Sequence, residues 1–68
     1  DPFIRVLKLD GRDWSSAEIG PALENSDCVV IITDHHGFDY AEIRDKARLI
    51  VDTRNAMKDY PSEKVIRL

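Results

Sequence analysis

The sequence has few of the residues that stabilise small secreted domains or mark other easily recognised classes. Cys28 is its single cysteine, so no internal disulfide can form, and nothing suggests secretion. No apolar run approaches the roughly 18 residues needed to cross a bilayer, and no signal-peptide pattern opens the chain. The net charge of −3 argues against a nucleic-acid-binding protein or a basic membrane-surface segment. We therefore expect a cytoplasmic chain with neither nucleic acid nor membrane as a partner.

Glycine is also scarce, which limits the kinds of ligand site. The 3 glycines do not form G-x-G-x-x-G, the sequence that binds dinucleotides between a strand and a helix. With 68 residues the chain makes one small domain or part of a larger one. Only about 60% of the unfolded surface is buried in a domain of this size, so its stability is marginal without a partner. We treat residues 1–68 as a single fragment.

The strands are predicted from four apolar segments. Val29–Ile32 is a continuous β-branched run, which favours a central parallel strand covered on both faces. Leu49–Val51 is a second such strand, Phe3–Leu9 is extended, and Lys64–Leu68 makes a short final strand. With helices between them, the order β-α-β-α-β predicts an α/β fold, a partial Rossmann-like parallel sheet with flanking helices.

Two helices are predicted between the strands. Ser15 and Glu18 have the spacing of a capping box, but a proline deep inside a helix loses a hydrogen bond and clashes with the preceding turn. We therefore predict that the first helix starts near Gly20-Pro21, with a buried stripe of Ile19, Ala22 and Leu23. Asp39 and Glu42 predict the start of the second helix, which runs to about Arg48 with Tyr40, Ile43 and Ala47 at helical spacing.

Polar residues follow both central strands, where an open parallel sheet binds its ligands. We expect one sheet edge to bring together Thr33, Asp34, His35, Asp52, Thr53, Arg54 and Asn55. The planar guanidinium of Arg54 suits bidentate contact with a phosphate or carboxylate. An ion pair between Arg54 and Asp52 or Asp34 is an equally good explanation, and the sequence leaves both open.

Asp34, His35 and His36 form an acid–histidine cluster that resembles the motif of the DHH phosphoesterases, which use paired metal ions. Such a site needs further acidic ligands, and no D-x-D motif precedes Asp34. The histidines are then expected to bond backbone at the strand end. We favour the rim of a nucleotide pocket and predict no metal ligands, with a DHH-type fragment or an acidic α/β interaction module as alternatives.

A family resemblance is carried by motifs in order along nearly the whole chain. They are Asp1-Pro2, Ala22-Leu23, Ser26-Asp27, "CVVIITDH", Phe38 and "IVDTRNA". Together they resemble the later part of the C-terminal, UDP-binding domain of the UDP-glucose/GDP-mannose dehydrogenase family. The "DTRNA" form is more similar to UDP-sugar 6-dehydrogenases, including those acting on N-acetylhexosamines.

The resemblance implies a parent enzyme in nucleotide-sugar and polysaccharide metabolism. Its members oxidise the sugar C6 alcohol to a carboxylate in two NAD-dependent steps, through a thiohemiacetal on a cysteine. That cysteine, the NAD fingerprint and a lysine-bearing segment belong to regions not found in this sequence, and Cys28 is expected to be a small core residue. The resemblance therefore implies a UDP-sugar substrate, Arg54 at its UDP moiety, a homo-oligomeric parent, and no catalytic residue or bound NAD in this fragment.

Overall fold

The structure is a computed structural model that describes residues 4–35 and 37–68. Asp1-Pro2, His36 and the first residue of the predicted segment Phe3–Leu9, all used in the sequence interpretation, lie outside the described residues. The elements in chain order are β1 (Val6–Leu9), α1 (Ser16–Asn25), β2 (Cys28–Ile31), α2 (Tyr40–Lys46), β3 (Ile50–Asp52) and β4 (Val65–Arg67). In this described part of the chain, neither helix is long and apolar enough to cross a membrane.

The strands form one parallel sheet in the order β1-β2-β3-β4. This confirms the predicted α/β fold with a parallel, Rossmann-like sheet. The fourth strand is joined to the third by residues 53–64 without a described helix, so the full order is β-α-β-α-β-β. Each strand lies beside the previous one, so the sheet grows in one direction from β1 to β4. Right-handed crossovers, which are the usual kind, then place both helices on the same face of the sheet. The contacts between α1 and α2 agree with that arrangement.

The predicted start of the first helix is wrong, because α1 begins at Ser16 with Ser15 as its N-cap. The Ser15 hydroxyl accepts a hydrogen bond from the Glu18 N–H (3.2 Å), and the Glu18 carboxylate accepts one from the Ser15 N–H (3.4 Å). These reciprocal bonds outweigh the one backbone bond that Pro21 cannot donate inside the helix. Of the predicted stripe, Ile19 and Leu23 are buried and Ala22 is half-buried.

The second helix follows its prediction closely. Asp39 is the N-cap of α2, and its side chain accepts a hydrogen bond from the Glu42 N–H (3.1 Å). The helix ends at Lys46, two residues earlier than predicted, and the buried Ala47 follows as its C-cap. Tyr40 and Ile43 face the core, as the spacing predicted.

The core lies between the helices and one face of the sheet. Alternate strand residues point into it, and Leu9, Val29, Ile31 and Ile50 are fully buried there. The opposite face carries residues such as Val6 and Ile66, which are 50% and 46% exposed. Within residues 4–35 and 37–68, then, β2 is covered fully on one face only, and its predicted cover on both faces is not found.

Candidate functional site

Loops from three strands lie together beyond the carboxyl ends of the strands. Gly11, in the loop after β1, has φ of +92°, and a Cβ built on it would lie 3.4 Å from the Thr33 side chain. In the same region His35 Nε2 lies 3.3 Å from an Asp13 carboxylate oxygen. Thr33 and His35 thus contact the loop after β1.

Asp52 organises the segment that follows β3. Its side chain is buried, with the residue only 1% exposed, and its carboxylate accepts three backbone hydrogen bonds. Oδ1 accepts from the N–H groups of Arg54 and Ala56, each at 3.0 Å, and Oδ2 accepts from Met57 N–H at 2.8 Å. Asn55 adopts φ of 56°, a left-handed conformation that asparagine tolerates. The turn therefore wraps around one carboxylate.

The ionisation of Asp52 follows from these contacts. Burial alone raises the pKa of a carboxyl group, but the backbone N–H groups of the 54–57 turn outweigh it and hold the pKa of Asp52 below 3.8, its ordinary value. The side chain is therefore a carboxylate at neutral pH. It serves as the anchor of the loop, beneath the surface that a ligand would meet.

Tyr40 links the other side of the site to Asp34. Its hydroxyl donates to Asp34 Oδ1 (2.6 Å) and accepts from the His35 N–H (3.0 Å). Burial, together with the bond to Asp34, raises the pKa of Tyr40 to about 12. The tyrosine is therefore a fixed neutral donor, and the remaining lone pairs of the Asp34 carboxylate are available to a ligand donor.

An open cavity of about 410 Å³ lies between these two loops. Two segments supply its walls, residues 34–40 before and at the start of α2 and residues 54–60 after β3. The lining residues are Asp34, Phe38, Tyr40, Arg54, Asn55, Ala56, Lys58, Asp59 and Tyr60. Aromatic rings and charged groups of both signs thus surround a space large enough for a small organic ligand.

Arg54 is exposed at this cavity, and its backbone is held by Asp52. In the part of the chain that the structure describes, its guanidinium makes no ion pair with Asp52 or Asp34 and no other side-chain hydrogen bond. The five N–H donors of the guanidinium are therefore available to a ligand. The ion pair of Arg54 with Asp52 or Asp34, which the sequence left open, is therefore not present.

The predicted edge residues divide into two groups. Asp34, Arg54 and Asn55 line the cavity together. Four others lie outside its lining and have local roles: Thr33 and His35 contact the loop after β1, Thr53 donates its hydroxyl to the Ile31 carbonyl (2.6 Å), and Asp52 anchors its own loop.

Sequence reasoning missed several lining residues, chiefly Tyr40, Lys58 and Tyr60. Tyr40 was assigned only to a helix stripe, although the first residue of a helix lies close to the preceding loop. Lys58 and Tyr60 follow the "DTRN" motif in sequence, but nothing in their order shows that the chain turns back toward Asp34. Only the wrapping of the 54–57 turn around Asp52 brings them there.

The metal interpretation finds no ligand cluster among residues 4–35 and 37–68. No group of three His, Cys, Asp or Glu side chains in this described part could hold a metal ion, and His36 lies outside it. Cys28 is half-buried at the first residue of β2, whereas the cavity lies beyond the last residue of that strand. The cysteine is thus remote from the cavity along the strand.

Comparison with known proteins gives one match. The family model described as "UDP-glucose/GDP-mannose dehydrogenase family, UDP binding domain" matches residues 1–59. The match runs through β3 and includes the cavity residues from Asp34 to Asp59, ending before Tyr60 and β4. Searches of curated proteins and of solved structures found no match to the chain.

Proposed function

Because the chain belongs to the UDP-glucose/GDP-mannose dehydrogenase family, as its UDP-binding domain, we propose that the cavity beside Arg54 binds the UDP part of a nucleotide sugar. The observation that carries this proposal is the guanidinium of Arg54, exposed at the cavity without a protein partner in the described residues. The family match favours this function over a metal phosphoesterase or an acidic interaction module.

The geometry gives Arg54 a physical reason to bind phosphate. A guanidinium presents parallel N–H donors that fit two oxygens of one phosphate, and charge-assisted bonds of this kind are about twice as strong as neutral ones. The Asp52 carboxylate fixes the backbone of the turn, which reduces the backbone entropy lost when a ligand binds. Across the cavity, the carboxylate of Asp34, held in place by the Tyr40 hydroxyl, offers acceptor oxygens for donor groups of the ligand.

We further propose that this domain serves an NAD-dependent UDP-sugar 6-dehydrogenase, which oxidises the C6 alcohol of the sugar to a uronate. The parent would act as a cytoplasmic homo-oligomer in nucleotide-sugar metabolism that supplies polysaccharide biosynthesis. Its catalytic cysteine would come from a region other than this sequence. Cys28 does not fit that role, because it begins β2 while the cavity lies beyond the end of the strand.

The residues that the structure describes do not fit a bound dinucleotide. A pyrophosphate is normally held at a helix N-terminus behind a glycine-rich turn. Here both helix N-termini carry carboxylates of the protein: Glu18 closes the capping box of α1, and Asp39 caps α2. Bonds from the Ser15 side chain and backbone lower the pKa of Glu18 and keep it ionised. We therefore assign NAD to the rest of the parent enzyme.

The isolated chain is expected to show no NAD reduction with any UDP-sugar, because residues 4–35 and 37–68 contain neither a fitting dinucleotide site nor a suitably placed nucleophile. The measurement is NADH formation by the pure chain, beside a Cys28→Ala variant. Turnover by the chain that disappears in Cys28→Ala would show that the cysteine is catalytic after all. Turnover retained in both would contradict the assignment of chemistry to another region.

UDP itself is expected to bind at the cavity, and the amide NMR spectrum of the chain locates the contact. Addition of UDP should shift the signals of Arg54, Lys58 and Tyr40, whereas Lys8 and Val51, on the opposite face of the sheet, should stay unchanged. Uridine serves as the control, since it lacks the phosphates that Arg54 is proposed to bind. Equal shifts with uridine, or shifts confined to the opposite face, would contradict the proposed site.

A further inference from the structure

Lys58 is a second cation at the cavity that the described protein leaves unpaired. Lys58 is exposed, and its side chain makes no ion pair or hydrogen bond in the part of the chain that the structure describes. Most of the other described cations form an ion pair or a side-chain hydrogen bond, namely Arg12, Arg44, Lys46, Arg48, Lys64 and Arg67. Arg5 and Lys8 lack partners too, but neither lines the cavity.

The loop places Arg54 and Lys58 at the same cavity for a structural reason. Between them, Met57 is 2% exposed, and its N–H donates to the Asp52 carboxylate. Met57 is held inward on one side of the turn, and the Arg54 N–H is bound to Asp52. Arg54 and Lys58 therefore both line the cavity. The presence of two cations on one turn bound to Asp52 distinguishes this site from a single-arginine phosphate contact.

The acidic residues of the cavity do not neutralise these cations by direct contact. Asp34 accepts the hydroxyl of Tyr40 and forms no ion pair with either cation among the described residues. Asp59 is exposed beside Lys58 in sequence, and these two side chains form no described ion pair either. Both cations therefore keep their donors for an anionic ligand.

We propose that Arg54 and Lys58 contact different phosphates of a nucleoside diphosphate, so that Lys58 is a specificity-determining residue that makes the cavity prefer a diphosphate to a monophosphate. This rests on the proposed binding of UDP at the cavity. A guanidinium fits two oxygens of one phosphate, whereas an ammonium acts as a point charge that can be satisfied by a neighbouring phosphate. The two side chains thus divide the recognition of the diphosphate between them.

The test compares the dissociation constants of UDP and UMP by calorimetry at one ionic strength. Lys58→Gln should weaken UDP by about tenfold, the size of one charge-assisted contact. Because Lys58 is assigned to the phosphate that UMP lacks, Lys58→Gln should weaken UDP alone, whereas Arg54→Ala should weaken both ligands. Lys58→Arg, which keeps the charge, should retain most of the affinity for UDP.

Lys8→Gln is the matched control, since it removes the same charge from an exposed residue that does not line the cavity. Equal losses of UDP affinity in Lys8→Gln and Lys58→Gln would overturn the proposal by showing a general effect of charge. Losses of the same size for UMP and UDP in Lys58→Gln would overturn it too. If Arg54→Ala weakens UDP and Lys58→Gln does not, this inference fails while the proposed function stands. If neither variant has an effect, both fail.

Discussion

Replacing Asp52 with alanine is expected to lower the free energy of unfolding by roughly 4 kcal/mol, since three backbone N–H groups lose a charged acceptor. The whole stability of a domain of this size is only about 3–10 kcal/mol, so the substitution should remove a large part of it. Asp52→Asn should cost less, because its amide oxygen can still accept at one position, while its NH₂ group faces a backbone donor. Urea denaturation of the three proteins measures these differences.

Asp59→Ala is the control for this prediction, because Asp59 is exposed and has no described partner to lose. The pH dependence gives an independent check. Since the pKa of Asp52 is lower in the folded chain than its ordinary value of 3.8, its contribution is complete above that value and is lost as pH falls through the folded pKa. Asp52→Asn should lack this acid-dependent part. Equal stabilities of Asp52→Ala and Asp59→Ala would contradict the anchoring role.

The strands were predicted well because their signal is local. A run such as Val29–Ile32 favours a strand wherever it occurs, and the helical patterns between the apolar segments predict the α/β order. The start of α1 was harder, because two local signals conflicted: the capping box of Ser15 and the missing donor of Pro21. The reciprocal side-chain bonds decide it, and their strength depends on a geometry that spacing alone does not reveal.

The cavity could be predicted only in part. An acid directly after a strand has the same sequence signature whether it faces a ligand or its own loop, so Asp34 and Asp52 looked alike. The structure separates them: Asp34 lines the cavity, and Asp52 is buried by the turn it binds. That burial depends on the left-handed backbone of Asn55, which lets successive N–H groups converge on one carboxylate. The same turn brings Lys58 to the cavity, which explains why its place was missed.

Replacing Arg54 with alanine is expected to weaken UDP-sugar binding by about ten- to a hundredfold. Each charge-assisted hydrogen bond to phosphate contributes roughly 1.5–3 kcal/mol, and a ten- to a hundredfold loss of affinity corresponds to the net loss of about one such bond. Lysine at this position should restore only part of the loss, because a point charge cannot reproduce the planar fork. In the proposed parent enzyme, the KM for the UDP-sugar should rise while the KM for NAD hardly changes.

Stability separates this binding role from a structural one, because the hydrogen bond from the Arg54 N–H to Asp52 is kept when only the Arg54 side chain is replaced. Arg54→Ala removes only a side chain that has no described partner, so its free energy of unfolding should stay within about 0.5 kcal/mol of the original. Asp52→Ala should show the reverse pattern, with stability lost first. An unchanged KM for the UDP-sugar in Arg54→Ala, together with lost stability, would mean that Arg54 supports the fold and that the diphosphate is bound by other residues.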